Sequence, residues 1–431
     1  MIALIAVLII DISLVKIYDL IQKNLIQLQN KLVLFSVNSS LCLLLQIFLI
    51  RYIRNTLRID RLKRTLKVKS FYIISLVSLS VLGGFIGFLI FQMFYYNYYN
   101  TALSIAIITI SYGTAASLII WLSLLFFSWY RSSRNLIVLL YFVSMSVIAF
   151  NLIMTASFSS VKVSERPYHT GEYIGGGGDI SGGRHLLLDN IYRVSSFMSF
   201  FSIWITTAIL MNYYREKLIN AIVYWLILGV PLVYFLITYF YQFFLAKFLI
   251  SYIVIDPITV SIALSAFLSL SKPVGGLIFG AAFWNISRTV GYEVNIKTYM
   301  IISGWGIFLI FAANQASAQM LTPYPPFGLA TITILVSASY LMLLGIYNSA
   351  TLVSANNELR RSIYKHALES KLLGAIGHAE MEKEIQNTVK QVNMDKQELE
   401  KELQEPVELD EMELEKYIEF VVYEVRKTGQ H

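Results

Sequence analysis

Asp256-Pro257 and Lys272-Pro273 are the residues whose types and spacing come closest to chemistry. Each pair places a charge directly before a proline within a largely apolar stretch. Proline lacks an N–H and disfavours helix in the residue before it, so the path breaks and carbonyls are freed. A carboxylate beside freed carbonyls at membrane depth is the raw material of a cation or proton site. The simpler reading is that Asp256 caps a half-helix that starts at Pro257. Asp256 and Lys272 are therefore the candidate ligand or ion residues.

Other polar residues carry less. His169 and His185 lie in a glycine-rich loop near Glu172, Asp179 and Asp189, a donor set that suits copper or zinc. No pair shows the i, i+4 or C-x-x-C spacing that pre-arranges a metal site, so a solvated linker with incidental histidines is the simpler reading. The glycine runs of that loop lack the lysine and the strand–helix setting of a phosphate cradle. Asp11 and Lys16 interrupt an apolar run at 2–20 and read as interfacial residues. No H-E-x-x-H, paired-carboxylate or G-x-S-x-G pattern occurs, so no catalytic residue, cofactor or enzymatic activity is expected.

These residues must be positioned by helices in lipid. The chain has 431 residues, 56% hydrophobic and only 14% charged, with a mean hydropathy of +0.62. Soluble domains carry about 25% charge, so there is too little polar side chain to coat one. A single cysteine, Cys42, excludes a disulfide scaffold, and the plentiful aromatics exclude disorder. A spanning helix needs roughly 20 apolar residues. Candidates are 32–50, 71–94, 103–129, 135–158, 190–211, 218–241, 298–317 and 328–348, with 2–20 as a less regular ninth.

Charge sets the threading. The loop after the second span carries Arg51, Arg54, Arg58, Arg61 and Arg64 plus three lysines, opposed only by Asp60. The positive-inside rule makes that loop cytoplasmic and suits it to anionic lipid headgroups. Arg131, Arg134, Arg215 and Lys217 then also fall inside, and the glycine-rich loop 159–188 falls outside. Keeping Arg288, Lys297 and the tail inside requires a single net crossing between 244 and 290. We therefore read 244–271 as interfacial or re-entrant, followed by a short span at 273–288. Irregular backbone at that depth needs protein or a water-filled cavity around it.

The charge is also divided along the chain. Residues 349–431 hold 11 Lys+Arg against 17 Asp+Glu, whereas the preceding 348 hold 23 against 10. Basic residues flanking spans reflect topology, so nucleic acid is not an expected partner. The tail reads as helix from about Asn357 to Leu403, broken by Pro406. A second amphipathic stretch follows, with Leu414, Ile418, Val421 and Val425 on one face that wants a protein partner. Gly374 and Gly377 interrupt any heptad seam, which argues for a partner-dependent helix over an autonomous coiled coil. His366 and His378 are each followed by alanine, with no glycine-rich box beyond, so a docking helix is expected and not a sensor kinase.

Small-xxx-small spacing occurs at Gly83/Gly87 and at Gly276/Gly280, suited to close helix packing within the bundle or to a homo-oligomer interface. Tyr95, Tyr96, Tyr98 and Tyr99 read as an interfacial aromatic belt.

Several strings resemble a group of uncharacterised multi-pass membrane proteins of ammonia-oxidising archaea. They are Ser271-Lys272-Pro273-Val274-Gly275-Gly276 on to Phe283-Trp284, Asn314-Gln315-Ala316, Pro323 to Gly328, and Glu358-Leu359-Arg360-Arg361-Ser362, all within roughly 250–385. The resemblance implies a location and a class of organism; it transfers no activity and no site residue.

The expected architecture is an all-α polytopic transmembrane bundle of about ten spans (range 9–11). The body runs over 1–348 and the acidic cytoplasmic tail over 349–431, with both termini cytoplasmic in the cell membrane. The expected function is a non-enzymatic receptor or scaffold whose tail docks a partner. The alternative is a secondary transporter, or ion-coupled carrier, using Asp256 at a broken helix.

Overall fold

The computed structural model describes residues 3–11, 28–56, 66–164, 186–212, 221–240, 270–289, 294–319, 325–356 and 371–403. The described residues are almost wholly helical and contain no strand. We number the helices α1 (residues 3–11), α2 (Leu28–Thr56), α3 (Leu66–Tyr96), α4 (Thr101–Ser133), α5 (Leu136–Ser164) and α6 (Leu186–Met211). They continue as α7 (Ala221–Phe240), α8 (Ser271–Thr289), α9 (Val294–Gln319), α10 (Leu329–Ala355) and α11 (Lys371–Leu403).

Eight of these, α2 to α7 with α9 and α10, are long and apolar enough to cross a membrane. All eight coincide with runs picked out from hydropathy. This is a multi-pass membrane protein. The two further crossings expected from sequence appear as α1 and α8, which lie outside those eight. Described α1 is short, and α8 carries Lys272 and Arg288 within 19 residues. The expected interfacial or re-entrant segment 244–271 lies outside the described residues except for its last two, as does the glycine-rich loop except for residues 159–164 and 186–188.

Consecutive helices from α4 to α7 pack antiparallel. Phe126 stacks on Tyr141 across α4 and α5, and Phe158 on Tyr192 across α5 and α6. Trp204 Nε1 donates to the Leu228 carbonyl at 2.8 Å and Tyr224 Oη to that of Ala208 at 2.7 Å, pinning α7 along α6. Hydroxyl pairs such as Ser144–Thr206 satisfy each other between helices, because lipid offers them no partner.

Glycine decides the closest contacts. A Cβ on Gly280 would stand 2.6 Å from the Gly304 carbonyl oxygen, and one on Gly306 2.6 Å from the Met342 nitrogen. The backbones of α8, α9 and α10 thus touch, as small residues allow in lipid. By contrast, a Cβ on Gly83 would meet only Leu43 Cδ1, at an ordinary 3.9 Å, and Gly84 and Gly87 have open space where one would go. Of the two spacings noted in sequence, Gly276/Gly280 is the one that brings backbone against backbone among the described residues.

Burial then orders the layers. The apolar window of α10 is 100% buried and that of α9 72%, against 28% for α3 and 22% for α7. Helix α10 is the axis of the bundle; α3 and α7 form its outside. Tyr95, Tyr96 and Tyr98 are exposed as a belt would be, while Tyr99 is buried.

Candidate functional site

Helix α10 joins polar clusters at its two ends, and the residues there come from helices far apart in sequence. At its N-terminus Gly328 adopts a left-handed φ of 90°, open to glycine without strain, and supplies no side-chain cap. The orphan donors of that first turn are met instead by Asp11 of α1. Thr331 N donates to Asp11 Oδ2 at 3.2 Å, the Thr331 hydroxyl donates to the same oxygen, and Asn38 Nδ2 of α2 donates to Oδ1 at 3.0 Å. A carboxylate at a helix N-terminus also answers the helix dipole. Asp11 is buried among the helices at that end of the bundle, and Lys16 lies outside the described residues. The charge that interrupts the apolar run is brought by the folded bundle to a helix end with an unmet donor.

A ladder of polar side chains descends from this cap between α2 and α10. Cys42 Sγ donates to the Ala330 carbonyl at 3.5 Å; Gln46 Nε2 donates to Thr333 Oγ1 at 2.8 Å; Ser337 Oγ donates to Gln46 Oε1 at 3.2 Å. These contacts run in the same order along both helices, so α2 and α10 are parallel. A second network ties α4, α5, α6 and α9. Tyr112 Oη donates to Asn314 Oδ1 at 3.3 Å, Asn314 Nδ2 to Asn151 Oδ1 at 2.8 Å, and Asn151 Nδ2 to Ser195 Oγ at 3.0 Å.

At the other end the tail helix lies on the bundle. Leu372, Leu373, Ile376 and Ala379 of α11 are buried, and a Cβ on Gly377 would stand 2.2 Å from Val353 Cγ1 of α10. Gly377, which breaks a heptad seam, is the residue that lets α11 approach α10. Two hydrogen bonds fix the register against α4. Trp129 Nε1 donates to Glu380 Oε2, and Ser132 Oγ donates to Glu382 Oε2, both at 2.6 Å. Glu380 is buried, with Lys383 Nζ 4.0 Å from its carboxylate. From Glu384 to Met394 most described side chains of α11 are exposed. The helix is thus docked over its first turns and exposed along most of 384–394.

The residues singled out from sequence fare unevenly. Lys272 is buried in the first turn of α8 with no hydrogen bond or ion pair to a described residue, and neighbouring Ser271 Oγ is buried without a partner. Arg51 is exposed, and Arg54 lies 4.4 Å over the Tyr72 ring. Asp256, His169, His185, Arg58, Arg61, Arg64, Leu414, Ile418, Val421 and Val425 lie outside the described residues. Among the described residues no three His, Cys, Asp or Glu side chains group to hold a metal. Asn38, Gln46, Asn151, Asn314, Trp129 and Glu380 were missed. The first four carried a usable signal, an amide inside an apolar span, which in lipid must find a partner.

No protein-family model, curated protein or solved structure matches this chain. The functional reading therefore rests on the geometry alone.

Proposed function

We propose that this protein is a non-enzymatic membrane receptor or scaffold in which α10 couples one face of the membrane to a tail helix on the other. One observation carries the reading: α10 is held by Asp11 at its N-terminus and by α11 at its C-terminal end. Thr331 and Val353 are roughly 33 Å apart at 1.5 Å per residue, about the thickness of the hydrocarbon layer. A ligand or membrane state that shifts the outer end of α10 would shift the surface on which α11 rests, because a packed core moves as discrete bodies. The tail, with both termini, is cytoplasmic in this reading, and the exposed half of α11 with residues 404–431 presents the surface for a protein partner.

The test reads the tail while perturbing the far end. Asp11→Ala should quicken amide hydrogen exchange in residues 372–384 as well as near Thr331. If exchange rises near Thr331 and the tail is unchanged, the two ends are not coupled and the reading fails.

A second reading, a secondary transporter, is favoured by Lys272 and Ser271, buried without described partners at the start of α8. They precede Pro273 and follow the stretch that contains Asp256. If Lys272→Met or Asp256→Asn abolishes ion-coupled uptake into reconstituted vesicles, the transporter reading replaces the first.

A further inference from the structure

Beside the axis lies a cleft of about 390 Å³ that neither cluster above uses. Its walls come from four helices: Ala3 and Leu4 of α1, Leu45 and Leu49 of α2, Ile301 of α9 and Leu341 of α10. The volume falls in the range of ligand sites, and the lining is almost wholly apolar, so water finds too few partners to fill it. A convex bundle surface meets lipid along ridges. This surface is instead concave and recessed between four helices. Tyr52 and Thr298 line the end of the cleft on the α11 side. Arg51 and Lys297, the neighbours of these residues in sequence on α2 and α9, are exposed.

An apolar recess with exposed cations at one rim matches one kind of occupant. We propose that the cleft binds a chain of an anionic phospholipid from the leaflet on the α11 side, with Arg51 and Lys297 flanking its phosphate. The site stands whether or not α10 couples the tail to the far end. Because Leu341 belongs to the axis helix and Ala3 and Leu4 to the helix that carries Asp11, a bound lipid would brace α1 against α10.

The test is native mass spectrometry of the full chain, released from nanodiscs containing phosphatidylglycerol and phosphatidylcholine of identical chains. Two surface cations amount to roughly a thirtyfold preference for the anionic lipid. Wild type should retain one phosphatidylglycerol by about that factor. Arg51→Gln/Lys297→Gln should bring retention of the two lipids to within about threefold. Filling the recess with Leu49→Trp, or Ile302→Trp should the first not fold, should abolish retention of both. Equal retention of the two lipids by wild type, an unchanged preference in the double variant, or undiminished binding in a folded filled variant would each overturn the proposal.

Discussion

Replacing Glu380 by alanine removes the buried carboxylate that accepts from Trp129 Nε1 at 2.6 Å and leaves the indole N–H without its partner. A hydrogen bond to a charged group contributes about 1.5–3 kcal/mol. The apolar part of the dock is larger. Leu372, Leu373 and Ile376 are fully buried, each stabilising by up to about 1.5–3 kcal/mol. Glu380→Ala should therefore weaken docking roughly 10- to 100-fold without releasing the helix. Lys383, already partly in solvent, is not stranded by the change. Exchange of the amides between 372 and 384 reports local opening, so their rates should rise by the same factor while α9 and α10 keep their protection. Glu380→Gln keeps an acceptor for the indole and should stay within about fivefold of wild type. Trp129→Phe/Glu380→Ala should cost less than the two single changes added, with a coupling of about 1 kcal/mol or more. If Glu380→Ala exchanges within about twofold of wild type, or if the double variant is additive, the dock does not depend on this bond.

Further outcomes follow from the packing. Gly377→Val drives a side chain into Val353 and should undock α11 where Glu380→Ala only loosens it, seen as rapid exchange throughout 372–384. Gly280→Ala should lower thermal stability in detergent by about 1–3 kcal/mol, because its Cβ meets the Gly304 carbonyl, whereas Gly84→Ala should leave the melting temperature unchanged. Asn314→Leu strands Asn151 and should cost about 0.5–2 kcal/mol, the scale of hydrogen bonds between helices in lipid. Cys42 is buried, so maleimide should label native protein only after unfolding, and Cys42→Ser should provide a cysteine-free background for mapping the threading.

The spans were legible because crossing lipid demands a long apolar run, a property of the residues themselves. Which residues meet across helices was not, because that depends on neighbours chosen by the whole bundle. Gly83/Gly87 and Gly276/Gly280 have the same spacing, yet the first leaves room for a Cβ at both positions and the second closes α8 onto α9. Asp11 looked like a defect in an apolar run until Thr331 and Asn38 supplied its donors. Gly377 looked like a break in a coiled coil and is a contact. The tail's helical nature was legible from its pattern; that its first turns rest on the body was not, since Trp129 and Glu380 are 251 residues apart.

The full burial of α10's apolar window bears on how the molecule is made. It is the last of the eight long apolar helices in chain order, so it leaves the ribosome after all the helices that enclose it. Those earlier helices enter the bilayer around a centre that does not yet exist. The Asp11 carboxylate and the Gln46 amide, whose partners Thr331, Thr333 and Ser337 lie on α10, must meanwhile find provisional ones in water or on earlier helices. Arrival of α10 replaces those partners and closes the bundle, and α11 can settle on it only afterwards. Assembly of this protein is thus completed from the C-terminal side, and a ribosome stalled before residue 329 would leave a shell with no axis.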